Sequence, residues 1–261
     1  MNTSSRQNEV IEMLTARGEC SVGFLARRLQ VSGMTIRRDL RELAAAGRVV
    51  RTHGGATLAQ RISFEFQFLN RAHRNQEAKL AIAAAAAELV RDGDSVIIDS
   101  GTTTLALAAR LKERKDLTVI TTSLPIVSEL QFCSNVQVLL LGGLLRHGTP
   151  DLVGTLTETN LEHLRADVAF LGADAVDSLG HAYIDSIEVG RILTRMAASA
   201  ERTYAVADSS KLGQTALMHF GDAGSWEGLI TDEGIHRSLA TDLRRAGVRV
   251  IKAGNGRDRT R

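Results

Sequence analysis

Two kinds of residue pattern in this chain can do chemistry, and both suit anions. The first is Val31-Ser32-Gly33-Met34-Thr35-Ile36-Arg37-Arg38-Asp39-Leu40, followed closely by Arg41. Arginine presents a planar fork that grips phosphate or guanine in bidentate fashion. Ser32 can cap a helix, because its hydroxyl accepts from a free amide of the first turn. Ile36, Leu40 and Leu43 then recur at four and three and define one buried face. Thr35, Arg37, Arg38 and Arg41 fall off that stripe and face outward near the helix start, where a helix-turn-helix meets base edges and phosphates. Taken alone, a solvated helix with scattered arginines explains the same residues about as well. Asp39 is an odd choice for a phosphate-facing helix, and is either paired with a nearby arginine or solvated.

The second pattern repeats along the remaining chain. Each aliphatic run ends in small, hydroxylic or acidic residues: Asp99-Ser100-Gly101-Thr102-Thr103-Thr104, then Thr121-Thr122-Ser123, Gly142-Gly143, Gly172-Ala173-Asp174, Asp208-Ser209-Ser210-Lys211 and Thr231-Asp232. Open α/β sheets bind ligands at the carboxyl ends of their strands. Gly101 lets a ligand approach the backbone, and Thr102, Thr103 and Thr104 open a helix whose free amides favour an anion. Lys211 supplies a cation, while Asp99 and Asp174 can accept from sugar hydroxyls. A phosphate joined to a polyol fits this inventory. Each piece has an ordinary explanation as a cap or a turn, but six tips in register are harder to dismiss. The phosphate loop GxxxxGK[ST] is absent, and no GxGxxG follows the first strand.

These residues need elements to hold them. Over 1–57 the periodicity predicts a helix from about Arg6 to Arg17, capped by Ser5 or Ser4 and ended by Gly18. A short second helix follows Ser21, and Gln30-Val31-Ser32 makes the turn. The third helix runs to about Ala46, with Gly47 as its C-cap. Two short strands, Arg48–Arg51 and about Ala56–Leu58, join through His53-Gly54-Gly55. That is a winged helix-turn-helix, whose wing brings Arg48, Arg51 and His53 toward adjacent phosphates. Residues 58–75 read as a linker without Gly or Pro. Its Phe64, Phe66 and Phe68 suit a short strand or a docked arm. From 76 to 254 the expectation is an open, mostly parallel α/β sheet with helices on both faces. Its strands are Ser95–Ile98, Leu117–Thr121, Val136–Leu141, Val168–Leu171, Thr203–Ala207, Gly228–Ile230 and Val248–Ile251. Helices include Thr103–Lys112, Ile126–Gln131, Glu188–Ala200 and Ile235–Ala246. Residues 255–261 are a polar tail.

Composition agrees with two unlike parts. The 261 residues carry a net charge of +2. Residues 1–57 hold nine Arg, no Lys and five acidic residues, a net +4, and the remainder nets −2. A basic head beside a mildly acidic body suits DNA binding joined to another task. With 44% hydrophobic but only 4% aromatic residues, the core must be aliphatic. Cys20 and Cys133 lie far apart and match no metal spacing, so two idle thiols in a reducing cytoplasm are expected, with no metal and no cofactor. No apolar leader and no long uncharged apolar run occurs, so no membrane partner is expected.

Taken together, Arg6, Val10, Leu14, Ser32-x-x-Thr35-Ile36-Arg37-Arg38-Asp39-Leu40 and Arg51-x-His53-Gly54-Gly55-Ala56 resemble DeoR-type bacterial transcriptional regulators. Asp99-Ser-Gly-Thr-Thr, Leu140-Leu-Gly-Gly, Phe170-Leu-Gly-Ala-Asp174 and Asp208-Ser-Ser-Lys211 are similar to that family's effector-binding domain. The resemblance implies a ribose-5-phosphate isomerase-like fold for the body, a phosphorylated sugar as effector, and duplex operator DNA as partner. Repression of a carbohydrate operon is the outcome it most often implies. Thr122 stands where the family has Asn, Ala175 where Gly is common, and Arg191 and Arg195 where Lys is frequent. A rival from another class is a sugar-phosphate isomerase with a DNA-binding head, using Asp174, Asp177 or Glu188 as base. A DNA-architectural protein is a third reading, but it leaves the polar tips unexplained. The few base-reading side chains of one head call for paired half-sites, hence a dimer or tetramer.

Overall fold

The computed structural model describes residues 3–52, 54–58, 68, 71–146 and 149–254, in two compact units, Met1–Asn70 and Arg71–Arg261. His53, most of the 58–75 linker with Phe64 and Phe66, and the 255–261 tail lie outside the described residues.

The first unit begins with α1 (Thr3–Arg17), β1 (Glu19–Ser21), α2 (Val22–Leu29) and α3 (Gly33–Ala45), followed by β2 (Val49–Arg51) and β3 (Gly55–Leu58). Helix α1 starts earlier than expected, so Ser4 and Ser5 lie within its first turn instead of capping it. Both later serine caps form: Ser21 accepts from Phe24 N (3.1 Å) and Ser32 from Thr35 N (3.1 Å). Past α3, Gly47 N donates to Ala44 O (2.9 Å) and Arg48 N to Leu43 O (2.7 Å), a paired helix ending that turns the chain into the wing. The wing has three strands, in the order β1–β3–β2. The unforeseen third strand explains a glycine: a Cβ on Gly55 would lie 2.1 Å from the carbonyl oxygen of Cys20. Val10, Ile11, Leu14, Leu25, Ile36, Leu40 and Leu43 form the core with Cys20, Val49 and Ala56.

In the second unit α4 (Gln76–Ala87), β4 (Ser95–Ile98), α5 (Thr102–Leu111), β5 (Leu117–Thr121), α6 (Leu124–Leu130) and β6 (Val136–Leu140) alternate. A hairpin of β7 (Leu144–Leu145) and β8 (Leu152–Val153) leads to α7 (Thr155–Glu162) and β9 (Ala166–Gly172). Then come β10 (Ala175–Val176), β11 (His181–Ile184), α8 (Ile187–Ala198), β12 (Ala200–Val206), β13 (Met218–Asp222), β14 (Gly228–Asp232), α9 (Arg237–Arg245) and β15 (Val250–Ala253). All seven expected strands join one sheet, in the order β15–β14–β12–β9–β4–β5–β6, and every neighbour pair is parallel. Both faces are buried. Val96 and Ile98 pack with α4, α5 and α6, whereas Ile97 packs into a second core with α8. This alternation is why the strands read as unbroken aliphatic runs. Alanines 83, 86 and 87 line α4 and allow close packing without aromatic bulk. The small antiparallel sheet β10–β11–β13 and helix α7 were not foreseen, since their strands and single short helix lack a long periodic signal.

Candidate nucleic-acid interface and ligand site

On α3 the apolar stripe is buried, and Arg37, Arg38 and Arg41 are exposed on the opposite side, as is Arg51 on β2. Asp39 is fully buried and holds Arg6 at two points, Nε to Oδ2 (2.6 Å) and Nη2 to Oδ1 (2.9 Å). That bond, reinforced by the carboxylate charge, raises the Arg6 pKa above its ordinary value. Asp39 therefore ties α3 to α1, which settles its two readings in favour of pairing.

The outward residues are not equivalent. The Thr35 hydroxyl lies 2.9 Å from that of Ser32, so the pair is mutually engaged. Arg38 Nε donates to Glu42 (3.1 Å), and Arg41 Nε donates to the carbonyl of Arg37 (3.3 Å). Among the described residues the Arg37 guanidinium has no such partner. It leans toward the helix start, with Nη1 3.6 Å from where a Cβ on Gly33 would sit. Met34, not singled out from the sequence, is also exposed in this first turn.

In the second unit the parallel strands put all the polar tips at one end of the sheet. From β4 the chain proceeds to β5 on one side, while β9 lies on the other. The crevice between the β4 and β9 tips is thus a switch point, the usual ligand position in such sheets. Asp99 lies there, almost wholly buried, with its N–H donating to Phe170 O (3.4 Å) and its carboxylate accepting from Gly101 N (3.2 Å). A Cβ on Gly172 would stand 3.1 Å from the same carboxylate, so the glycine ending β9 makes room for Asp99. Burial pushes the Asp99 carboxyl up to about 6; hydrogen bonding from Thr104, Gly101 and Gly172 opposes the rise and the Asp151 charge adds to it.

Asp151 and Arg146 are the residues the sequence reading missed. Asp151 is buried, accepts two hydrogen bonds from Arg146 (3.1 and 2.9 Å) and one from the Ser100 hydroxyl (2.8 Å). The β7–β8 hairpin so bends back onto the β4 tip. Neither residue lies in a periodic run, so no sequence signal marks them. Thr102 is half-buried at the start of α5, whose N-cap Gly101 has no side chain to occupy the free amides. Thr103 and Thr104 are buried, and the Thr104 hydroxyl donates to the carbonyls of Asp99 (3.1 Å) and Gly101 (2.8 Å). Thr122 is buried beside this group, its carbonyl accepting from Leu152 N (3.0 Å).

The other expected contacts are engaged with their own surroundings. The Gly142 carbonyl accepts from the Thr157 hydroxyl (2.8 Å), and a Cβ on Gly143 would meet that hydroxyl at 2.2 Å. Asp174 accepts from Asp185 N (3.1 Å). Lys211 is half-buried in a single turn after Asp208, which accepts from Asn75 Nδ2 (2.9 Å). Beside it Lys79 is buried and donates to the carbonyls of Arg71 and Arg74; burial lowers its pKa, with Asp208 opposing. A lysine on the stripe of Ile82, Ala83 and Ala86 was the available signal for it. Asp177 accepts from Leu179 N (2.9 Å), His181 N (3.0 Å), His181 Nδ1 (2.9 Å) and the Tyr183 hydroxyl (3.1 Å). Burial alone would raise the Asp177 pKa, but these bonds hold it below the ordinary value.

Comparison with known proteins bears on both units. Residues 6–61 match the DeoR-like helix-turn-helix domain, and residues 74–233 match the DeoR C terminal sensor domain. The putative aga operon transcriptional repressor of Escherichia coli O157:H7 is 34% identical over 254 residues, covering 97% of this chain and 94% of that protein. The glycerol-3-phosphate regulon repressor of Escherichia coli K12 is 30% identical over 232 residues, covering 89% and 92%. Among solved structures, ribose 5-phosphate isomerase A from Neisseria gonorrhoeae is similar at a TM-score of 0.38 and 21% identity, over 51% of this chain and 52% of that one.

Proposed function

The chain belongs to the DeoR family of DNA-binding transcriptional regulators, and from that premise we propose that it represses a carbohydrate catabolic operon in the cytoplasm until a phosphorylated sugar binds the body. The observation that carries the effector is the β4 tip. There the uncapped amides of α5 lie beside the Ser100–Asp151–Arg146 group at the switch point of the sheet. Amides at a helix start favour the phosphate, and the polar groups around them suit hydroxyls. Gly101, Thr102 and Ser100 are the groups in reach of a ligand. Asp99, Thr104 and Thr122 shape the floor from within. Asp174, Lys211, Gly142 and Gly143 line neighbouring tips.

In the head, Arg37 reads a base while Arg38, already held by Glu42, takes a phosphate. Arg41, Arg51 and His53 add backbone contacts, and Ser32 and Thr35 fix the first turn. A single head offers too few readers for a long site, so a dimer or tetramer places two of them on paired half-sites. A sensor is favoured over an isomerase. Of the three carboxylates an isomerase reading would use as base, Asp177 is engaged by four donors, Asp174 accepts from a backbone amide, and Glu188 is exposed on α8.

The test is a thermal-shift screen with paired sugars and sugar phosphates, followed by operator binding with each hit. A ligand at one hundred times its dissociation constant adds about 2.7 kcal/mol. A phosphorylated hit should weaken operator binding about 5- to 150-fold, and operator should weaken the hit equally. Equal response to phosphorylated and plain sugars, or turnover of the hit, overturns the proposal.

A further inference from the structure

Met34 is the second residue of α3 and is 69% exposed, whereas Ile36, Leu40 and Leu43 of the same helix are at most 2% exposed. It takes no part in the core of the head. It precedes Arg37 and Arg38 by three and four residues and Arg41 by seven, so all four share the outward stripe. Around it, Thr35 is engaged by Ser32, Arg38 by Glu42 and Arg41 by a carbonyl. The side chains of the first turns with no such engagement among the described residues are Met34 and Arg37, three apart on one face. The turn that carries them is held by the Ser32 cap and by the buried Asp39–Arg6 pair.

A long apolar side chain left in water here has a chemical counterpart. The major groove offers donors and acceptors at every base pair but one apolar group, the C5-methyl of thymine. The thioether end is unbranched and polarisable, and it adapts its rotamer to a methyl surface. We propose that Met34 is a specificity-determining residue that packs on the methyl group of a thymine, beside a guanine gripped by Arg37. This rests on α3 being the reading helix, and it assigns to Met34 a base that no hydrogen-bonding residue of the helix selects.

The experiment uses the full chain and a duplex it selects from a random-sequence library. Each thymine of that duplex is replaced singly by deoxyuridine, which removes only the methyl group. At one position of each half-site the natural protein should lose about fourfold in affinity, the worth of one buried methyl-sized group. Met34→Ala should bind the thymine and deoxyuridine duplexes alike at that position, and Met34→Leu should keep the distinction. Because Met34 is unpacked, the Met34→Ala protein should melt as the natural one does. If every deoxyuridine duplex binds the natural protein unchanged, the thymine assignment is overturned while DNA recognition stands. The same holds if Met34→Ala discriminates as well as the natural protein. If no duplex is selected at all, α3 is not a reading helix and both readings fall together.

Discussion

Helix α3 and the tips of the body sheet treat their polar groups in opposite ways. On α3 the cations Arg37, Arg38 and Arg41 are exposed and only Asp39 is buried, where Arg6 neutralises it. At the tips, Asp99, Thr104, Asp151 and Asp208 are nearly all withdrawn from solvent and held by hydrogen bonds. Under the proposed function, the difference matches what each surface would meet. A duplex is large and uniformly charged, so a rigid convex helix with solvated cations engages it from outside. A small phosphorylated sugar would leave water on binding, and the buried side chains would hold the free amides of α5 in place to receive it.

The contrast can be broken at several strengths. The largest effect is expected from Gly55→Ala, whose added Cβ meets the backbone of Cys20. It should cost the head about 3 kcal/mol. Calorimetry should show a head transition lowered by roughly 10–25 °C, with the body transition in place. A single merged transition shifting as one would mean the two units do not melt separately. Next comes Asp99. Its carboxyl is raised in the folded state to about 6 from an ordinary 3.8, so the folded protein binds the extra proton. Its contribution to stability is then full below the ordinary pKa and falls as pH rises through about 4 to 6, by up to roughly 3 kcal/mol. Asp167 and Asp177, held below their ordinary values, act in the opposite sense and lose their contribution on acidification. The difference between natural protein and Asp99→Asn, followed by denaturant melts from pH 4 to 7, isolates the single group. A pH-independent difference would refute the buried carboxyl.

Smaller effects sharpen the head. Arg37→Ala should cost roughly 1–3 kcal/mol on the selected duplex and relax one base pair. Arg38→Ala should weaken all sequences alike and reduce the slope of log affinity against log salt by about one. Reversed behaviour in a filter-binding series would exchange the two roles. Ser32→Ala removes one cap and should lower head stability by about 1 kcal/mol, read as a modest fall in its melting temperature.

Much of this was legible in the residues. The stripe of Ile36, Leu40 and Leu43, the Ser21 and Ser32 caps, and the seven aliphatic strands are local signals, because a helix face or a buried strand is written in consecutive side chains. The tips after those strands were legible for the same reason, each being the end of a run. Asp39 was legible only as an anomaly among arginines; its partner Arg6 lies 33 residues away. Some short pieces were not legible. β1, β10 and β13 are held by pairing with distant strands and carry no pattern of their own.

By itself, then, the chain determined its longer helices, the seven strands of the body sheet, its basic head and its aliphatic body, since helix faces, caps and strand burial depend on neighbours in sequence. The order of the strands was decided only by the tertiary structure. Parallel ladders form through backbone groups that every residue shares, and they join segments far apart in the chain. That order places β9 beside β4, Gly172 against Asp99, and the β7–β8 hairpin where Asp151 meets Ser100. Burial at this crossing gives Asp99 its raised pKa, and packing leaves Met34 outside the core while drawing Asp39 in. The raised Asp99 pKa and the buried Asp39–Arg6 pair follow from those long-range contacts, which no local pattern encodes.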